Sequence, residues 1–261
     1  MSTILFGNNK GGVGKDVGAA GAYHAALERG LPMPTLIELE TRPRLAQLYP
    51  EAVTIPVDVP SPETLYANPD SAYAALDKAG ELWAQASLSI TSLGANMTSA
   101  VLAWSASQGP RKVLNRPDVV FCVMLTMNRH AMAAGLEALF DIGEILPEAK
   151  RVAILNDVHA AFMEGDQFLA KRLEEARGNG TPIEVLRLPR CAAPAWGYAQ
   201  NLGTLEQIAN LEPEALIKLG LPEGPVRRSL PIIAAWISDS LIGPMGTLLP
   251  AETASKRQKS K

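Results

Sequence analysis

Residues Gly7 to Lys15 read Gly-Asn-Asn-Lys-Gly-Gly-Val-Gly-Lys, a run with glycines at 11, 12 and 14, lysines at 10 and 15, and no acid. Glycine accepts backbone angles that side chains exclude, so this run can turn tightly and point successive N–H groups inward, making a cradle for phosphate oxygens. Thr3 to Gly7 ahead of it reads as a strand, and Asp16 to Arg29 behind it as a helix closed by Gly30. The helix N-terminus adds partial positive charge at the same place, and Lys15 is placed to reach the outer phosphates. The chemistry these residues can do is to hold a nucleotide by its phosphates.

A loop of this kind works only between a strand and a helix, so the surrounding elements decide the reading. Further strands are expected at Thr35 to Leu39, Ala52 to Val57, Leu88 to Ser92, Val119 to Leu125, Val152 to Leu155 and Ile183 to Leu188. Pro56 marks the third of the seven as an edge or a strand end. Val119 to Leu125 is continuously apolar, as a strand buried on both faces must be. Helices are expected from about Pro62 to Gln85, Met97 to Ser107, His130 to Leu146 and Met163 to Arg177. This alternation predicts a doubly wound α/β fold of the phosphate-loop kind, a mostly parallel sheet flanked by helices on both faces. Residues 1–249 read as one nucleotide-binding domain and 250–261 as a basic, solvated tail.

Lys10-Gly11-Gly12-Val13-Gly14-Lys15 resembles the deviant Walker A motif of the ParA/MinD ATPases, a family that partitions plasmids and positions cell-division or other cargo. The resemblance extends along most of the chain. Glu38-Leu39-Glu40 resembles the family's acidic switch I pair, normally aspartates, and Ser92-Leu93-Gly94-Ala95-Asn96 its Walker B and switch II segment. Asn156 matches the asparagine that usually contacts adenine, and Pro189-Arg190 the segment that closes over the base.

Two positions depart from the pattern. The family places Thr or Ser after the loop lysine, where its hydroxyl binds Mg²⁺, and this chain has Asp16; the family ends its Walker B strand with Asp, and this chain has Ser92. Hydroxyl and carboxylate are exchanged. One reading is compensation, with Asp16 ligating Mg²⁺ and Ser92 supporting a water, since both groups are hard oxygen donors. A second is a degenerate site, because a carboxylate about 4 Å from a phosphate costs on the order of 4 kcal/mol at an effective dielectric near 20. A third is that Asp16 only favours the positive helix end, worth roughly 0.3–1 kcal/mol. Asp58, in Val57-Asp58-Val59, is an alternative position for the Walker B acid.

The resemblance implies ATP and Mg²⁺ as cofactors and an ATP-dependent homodimer in which Lys10 reaches the partner's phosphates. It casts Glu40 as the residue that orients the attacking water and couples Glu38 to the metal shell. Glutamate is one methylene longer than aspartate, and misplacement by about 1 Å can cost on the order of 100-fold in rate, so slow turnover is expected. Without the resemblance, Glu38 and Glu40 read as an exposed acidic strand end. The other function class left open is a pseudo-ATPase scaffold or adaptor that binds a protein partner without turnover.

The 261 residues are 47% hydrophobic and carry a net charge of −3, which gives enough apolar residues for a core and argues against generic nucleic-acid binding. Lys256, Arg257, Lys259 and Lys261 are concentrated in the tail, leaving −7 (−3 less 4) on the remainder, so any nonspecific DNA contact would run through that tail. Cys122 and Cys191 are too few for a disulfide framework, and with no spanning-length apolar run they point to a cytoplasmic setting. Leu230 to Ile242 is the one segment with an amphipathic look; its polar face lacks Lys and Arg, so it is expected to pack on the sheet rather than on a membrane.

Overall fold

The computed structural model describes residues 1–57, 68–106 and 108–251. Asp58 and the charged part of the basic tail lie outside the described residues. Among the described residues seven strands form one sheet: β1 (Ser2–Gly7), β2 (Thr35–Leu39), β3 (Val53–Ile55), β4 (Leu88–Leu93), β5 (Val119–Leu125), β6 (Lys150–Asn156) and β7 (Ile183–Leu188). Their order is β3-β2-β4-β1-β5-β6-β7, with every neighbouring pair parallel. Parallel neighbours need crossovers, and helices supply them: α1 (Lys15–Glu28), α2 (Leu45–Leu48), α3 (Ala74–Gln85), α4 (Met97–Ser105), α5 (Gln108–Leu114), α6 (Arg129–Ile145) and α7 (Gln167–Arg177). The fold is doubly wound α/β with a wholly parallel sheet.

Side chains leave a strand on alternate faces, and the central strands are apolar on both. Along β5, Val120, Cys122 and Met124 enter the core layer beneath α1, whereas Phe121, Val123 and Leu125 enter the layer beneath α3, α4 and α6. Burial pushes the Cys122 thiol well above its ordinary range, as for a small core residue. Edge strand β3 stops at Ile55, before Pro56, which has no N–H to continue a ladder.

Several element ends differ from expectation for identifiable reasons. α3 begins at Ala74, after a 3₁₀ turn at Pro69–Tyr73. α7 begins at Gln167, where the Asp166 carboxylate accepts from Phe168 N and Leu169 N at 2.9 and 3.1 Å. β6 begins two residues early and includes a fully buried Arg151. Its guanidinium donates to the carbonyls of Leu139, Ala176, Arg177 and Thr181, closing the C-terminal end of α7.

After β7 the chain forms α8 (Trp196–Ala199), α9 (Leu205–Ala209), α10 (Pro213–Ile217), α11 (Glu223–Ala235), a π-helical stretch Trp236–Ile242 and α12 (Gly243–Gly246). The segment expected to lie on the sheet packs chiefly on α1. Ile233, Ile237, Leu241 and Met245 are buried there, and a Cβ at Gly21 would lie 2.8 Å from Leu241 Cδ1, so the glycine allows the approach. No helix among the described residues is long and apolar enough to cross a membrane. Tyr49, after α2, ties a third element to this pair: its hydroxyl accepts from Leu205 N at 3.0 Å and lies 3.0 Å from His24 Nε2 on α1.

Leu241→Ala should therefore lower stability by about 3 kcal/mol, the usual cost of emptying a closed leucine site. The denaturation midpoint should fall with little change in slope; a shift under about 0.5 kcal/mol would mean that this packing is not maintained in solution.

Candidate nucleotide-binding site

β1 ends at the middle of the sheet, and the chain must turn from its last ladder bond into α1 without leaving buried amides unpaired. Three asparagines hold the turn. Asn8, fully buried, donates from Nδ2 to the carbonyls of Met124 and Ala131 at 2.7 and 2.9 Å and accepts Lys10 N at 2.8 Å. Asn9 pairs with Ser99 twice, through Ser99 Oγ at 2.6 Å and Ser99 N at 3.0 Å, which docks the loop on α4. Asn156, at the end of β6, donates to the Val13 carbonyl at 2.9 Å and accepts from Val158 N at 3.2 Å. Gly14 has φ 91°, and a Cβ there would lie 2.5 Å from Asn156 Nδ2, so both conformation and space require glycine.

Lys15 is buried, and its ammonium donates to the Lys10 carbonyl at 3.0 Å across the loop. Burial lowers its pKa from the ordinary lysine value, while the negative charges of Asp16 and Glu40 act the other way. An ammonium held this way at a helix start is suited to a phosphate. Lys10 itself is exposed at the crest of the loop.

The loop opens on a cleft of about 1190 Å³ at the carboxyl ends of the strands. Gly11, Gly12, Val13, Gly14, Lys15 and Asp16 form one wall; Asn156, Pro189 and Arg190 belong to the other, and Glu40 stands at the end of β2. The expected cofactor-binding residues thus converge on a single cavity. Beyond Pro189, the cleft is finished by Trp196 and Trp236, whose ring centroids are 4.7 Å apart; Trp236 Nε1 donates to the Pro189 carbonyl at 2.7 Å. Neither indole stood out in the sequence as a site residue; Trp236 falls in the Leu230 to Ile242 segment expected to pack on the sheet.

Asp16 and Ser92 meet. Ser92, buried on β4, donates from Oγ to Asp16 Oδ1 at 2.5 Å, so the exchanged hydroxyl and carboxylate face each other across the β1–β4 neighbourhood. This is a hard-oxygen pair at the edge of the phosphate cradle. Among the described residues no group of three or more His, Cys, Asp and Glu side chains could hold a metal. One carboxylate with phosphate and water oxygens is still a donor set that suits Mg²⁺, which usually keeps several waters.

The two glutamates separate. Glu40 lines the cleft, with Oε1 accepting Thr41 N at 2.9 Å; Gly94 gives it room, since a Cβ at 94 would lie 2.7 Å from Oε2. Glu38, paired in register with Ser92, is buried and turned away. Its carboxylate accepts the backbone N–H groups of Arg44, Leu45 and Ala46 at 2.6, 2.9 and 2.9 Å, capping the start of α2. The geometry gives Glu38 a structural task in place of the expected link to the metal. Asn156 spends one N–H and one oxygen lone pair of its amide on backbone, which braces the loop at the cleft wall.

The parallel doubly wound sheet and this glycine-lined cleft are compatible with a nucleotide-binding domain. No protein-family model matches the chain. No curated protein matches it in sequence either.

Because Glu38 satisfies three amides, Glu38→Ala should cost about 3 kcal/mol of stability, and Glu38→Gln less, since its amide oxygen can still accept. Denaturant unfolding of both variants checks this. Unchanged stability in Glu38→Ala would contradict the structural assignment.

Proposed function

We propose that this protein is a ParA/MinD-like ATP-binding switch with an altered metal site, slow hydrolysis and ATP-dependent dimerisation, acting in the partition or positioning of plasmid DNA or other cargo. The observation that supports it most is convergence. The loop after β1, Asn156 after β6 and Pro189-Arg190 after β7 are far apart in sequence, yet border one cleft in the order that a phosphate-to-base ligand requires.

In this reading Lys15 and the loop amides bind the outer phosphates, and the two indoles with Pro189 and Arg190 close the base end. Phosphoryl transfer depends on positioning and charge neutralisation more than on covalent chemistry. Lys10, exposed at the loop crest, is available to a partner subunit's phosphates. Glu40 orients the attacking water from the opposite side. Mg²⁺, when bound, would offset phosphate charge, with Asp16 as its protein ligand and Ser92 holding that carboxylate in place.

A second reading, a pseudo-ATPase scaffold or adaptor for a protein partner, draws on the same contact. Ser92 and Asp16 already satisfy each other, and a carboxylate facing phosphate without a cation is repulsive. A double-mutant cycle separates the two. If Asp16 and Ser92 share one working metal site, Asp16→Thr and Ser92→Asp should each lower ATP turnover by about tenfold or more, and the pair should recover most of it. Additive losses, or no turnover in any form including the wild type, would favour the scaffold. The dimer is tested separately: Lys10→Ala should abolish ATP-dependent dimerisation in sedimentation while leaving ATP affinity intact, and unchanged dimerisation would remove the switch reading.

A further inference from the structure

The cleft is larger than the roughly 300–1,000 Å³ of an ordinary small-ligand pocket, and its charge is lopsided. Lys15, Arg42, Arg44 and Arg190 border it against only Asp16 and Glu40, in a chain whose net charge is −3. Both carboxylates are engaged, by Ser92 and by Thr41 N. Arg42 and Arg44 are exposed, and among the described residues neither guanidinium has a hydrogen bond or ion pair.

The sheet order says what these two arginines are not for. β6 and β7, which bring Asn156, Pro189 and Arg190, lie on one side of β1; β2, which leads to Arg42 and Arg44, lies on the other, beyond β4. Two strand spacings, about 10 Å, separate β1 from β2. A nucleotide running from the loop toward Pro189 therefore leads away from Arg42 and Arg44. The two arginines line the cleft on the β2 side, opposite that direction.

Their backbone is held. Glu38 fixes Arg44 N at 2.6 Å, Glu40 fixes Thr41 N at 2.9 Å, and Pro43 restricts the residue between them. Two guanidiniums spaced i, i+2 on an anchored turn, beside a phosphate cradle, have the chemistry for forked recognition of an acid.

We propose that Arg42 and Arg44 form a second anion-binding subsite, which holds a carboxylate- or phosphate-bearing small molecule next to the outer end of the nucleotide. The subsite rests on the preceding reading only for the nucleotide's position. It makes the cleft a two-ligand site.

Calorimetry on the full chain tests it, with citrate and inorganic phosphate as separate probes, each titrated with and without saturating ADP. Citrate binding identifies a carboxylate ligand and phosphate binding a phosphate ligand. The Arg42→Ala/Arg44→Ala double variant should weaken the bound probe by about tenfold or more and change ADP affinity less than about threefold. Lys15→Ala should do the reverse. These arginines are exposed, so an unchanged melting temperature is expected and excludes misfolding as the cause. Arginine-dependent probe binding without any ADP binding would retain the subsite and remove the nucleotide reading. Failure of both probes to bind at millimolar concentration, or equal loss of probe and ADP in the double variant, would overturn the subsite.

Discussion

Ladder hydrogen bonds stop at Gly7 and the first helical bond, from Gly18 N to the Gly14 carbonyl at 3.0 Å, closes a turn later, so the backbone between belongs to neither element. Buried amides and carbonyls must be paired, and an open loop at the centre of a sheet has few regular partners. The structure meets that constraint with side-chain amides from three directions: Asn8 from within the loop to β5 and α6, Asn9 to α4, and Asn156 from β6. Each ties the loop to a neighbouring element of the fold. Lys15 completes the arrangement by spanning the loop to the Lys10 carbonyl. The cradle is thus preorganised by the fold, with the lysine kept in a partly desolvated place where its charge acts strongly on an anion.

The same economy explains how acids are distributed around the cleft. Of the three carboxylates near the ends of β2 and β1, Glu40 and Asp16 line the cavity and each accepts one donor, Thr41 N and Ser92 Oγ. Glu38 is consumed by the amides of residues 44–46, and that cap fixes the wall that carries Arg42 and Arg44. Asp16 is held by Ser92. One buried carboxylate therefore shapes the cationic side of the cleft, while Asp16 sets the polarity beside the glycine loop. The C-terminal helices act on the opposite end, where Trp236 reaches back to the Pro189 carbonyl and packs with Trp196.

Much of this was legible in the sequence, for physical reasons. Continuous apolar runs such as Val119 to Leu125 and the glycine-lysine loop depend on local composition, and β2, β5 and β7 fall where periodicity places them. The family resemblance put Asp16 and Ser92 at exchanged positions of one motif set, without foreseeing the hydrogen bond between them. What was not legible depends on where a side chain turns. Glu38 and Glu40 are two residues apart, one in β2 and one just past its end, and look alike, but one caps a helix that forms only after the chain reverses. Arg151 is a charged residue whose partners are carbonyls 12 to 30 residues away, so no pattern near it announces its burial. Asn8 and Asn9 left a signal that reading for glycines and lysines passed over: two short amides directly after a strand, where loop polar groups need partners. The Arg42-Pro43-Arg44 turn left one too, a basic pair set against an acidic strand end.

In the proposed function this loop holds nucleotide phosphates, and Asp16 is the protein ligand of a rebuilt Mg²⁺ site. Calorimetric titration of ATP into the purified protein, with Mg²⁺ and again with excess chelator, tests it most directly, with Lys15→Met as the control. The account predicts tight binding that depends on Mg²⁺ and is lost in the control. Binding that ignores Mg²⁺ would contradict the rebuilt metal site, and equal binding by the wild type and Lys15→Met would contradict the phosphate loop itself.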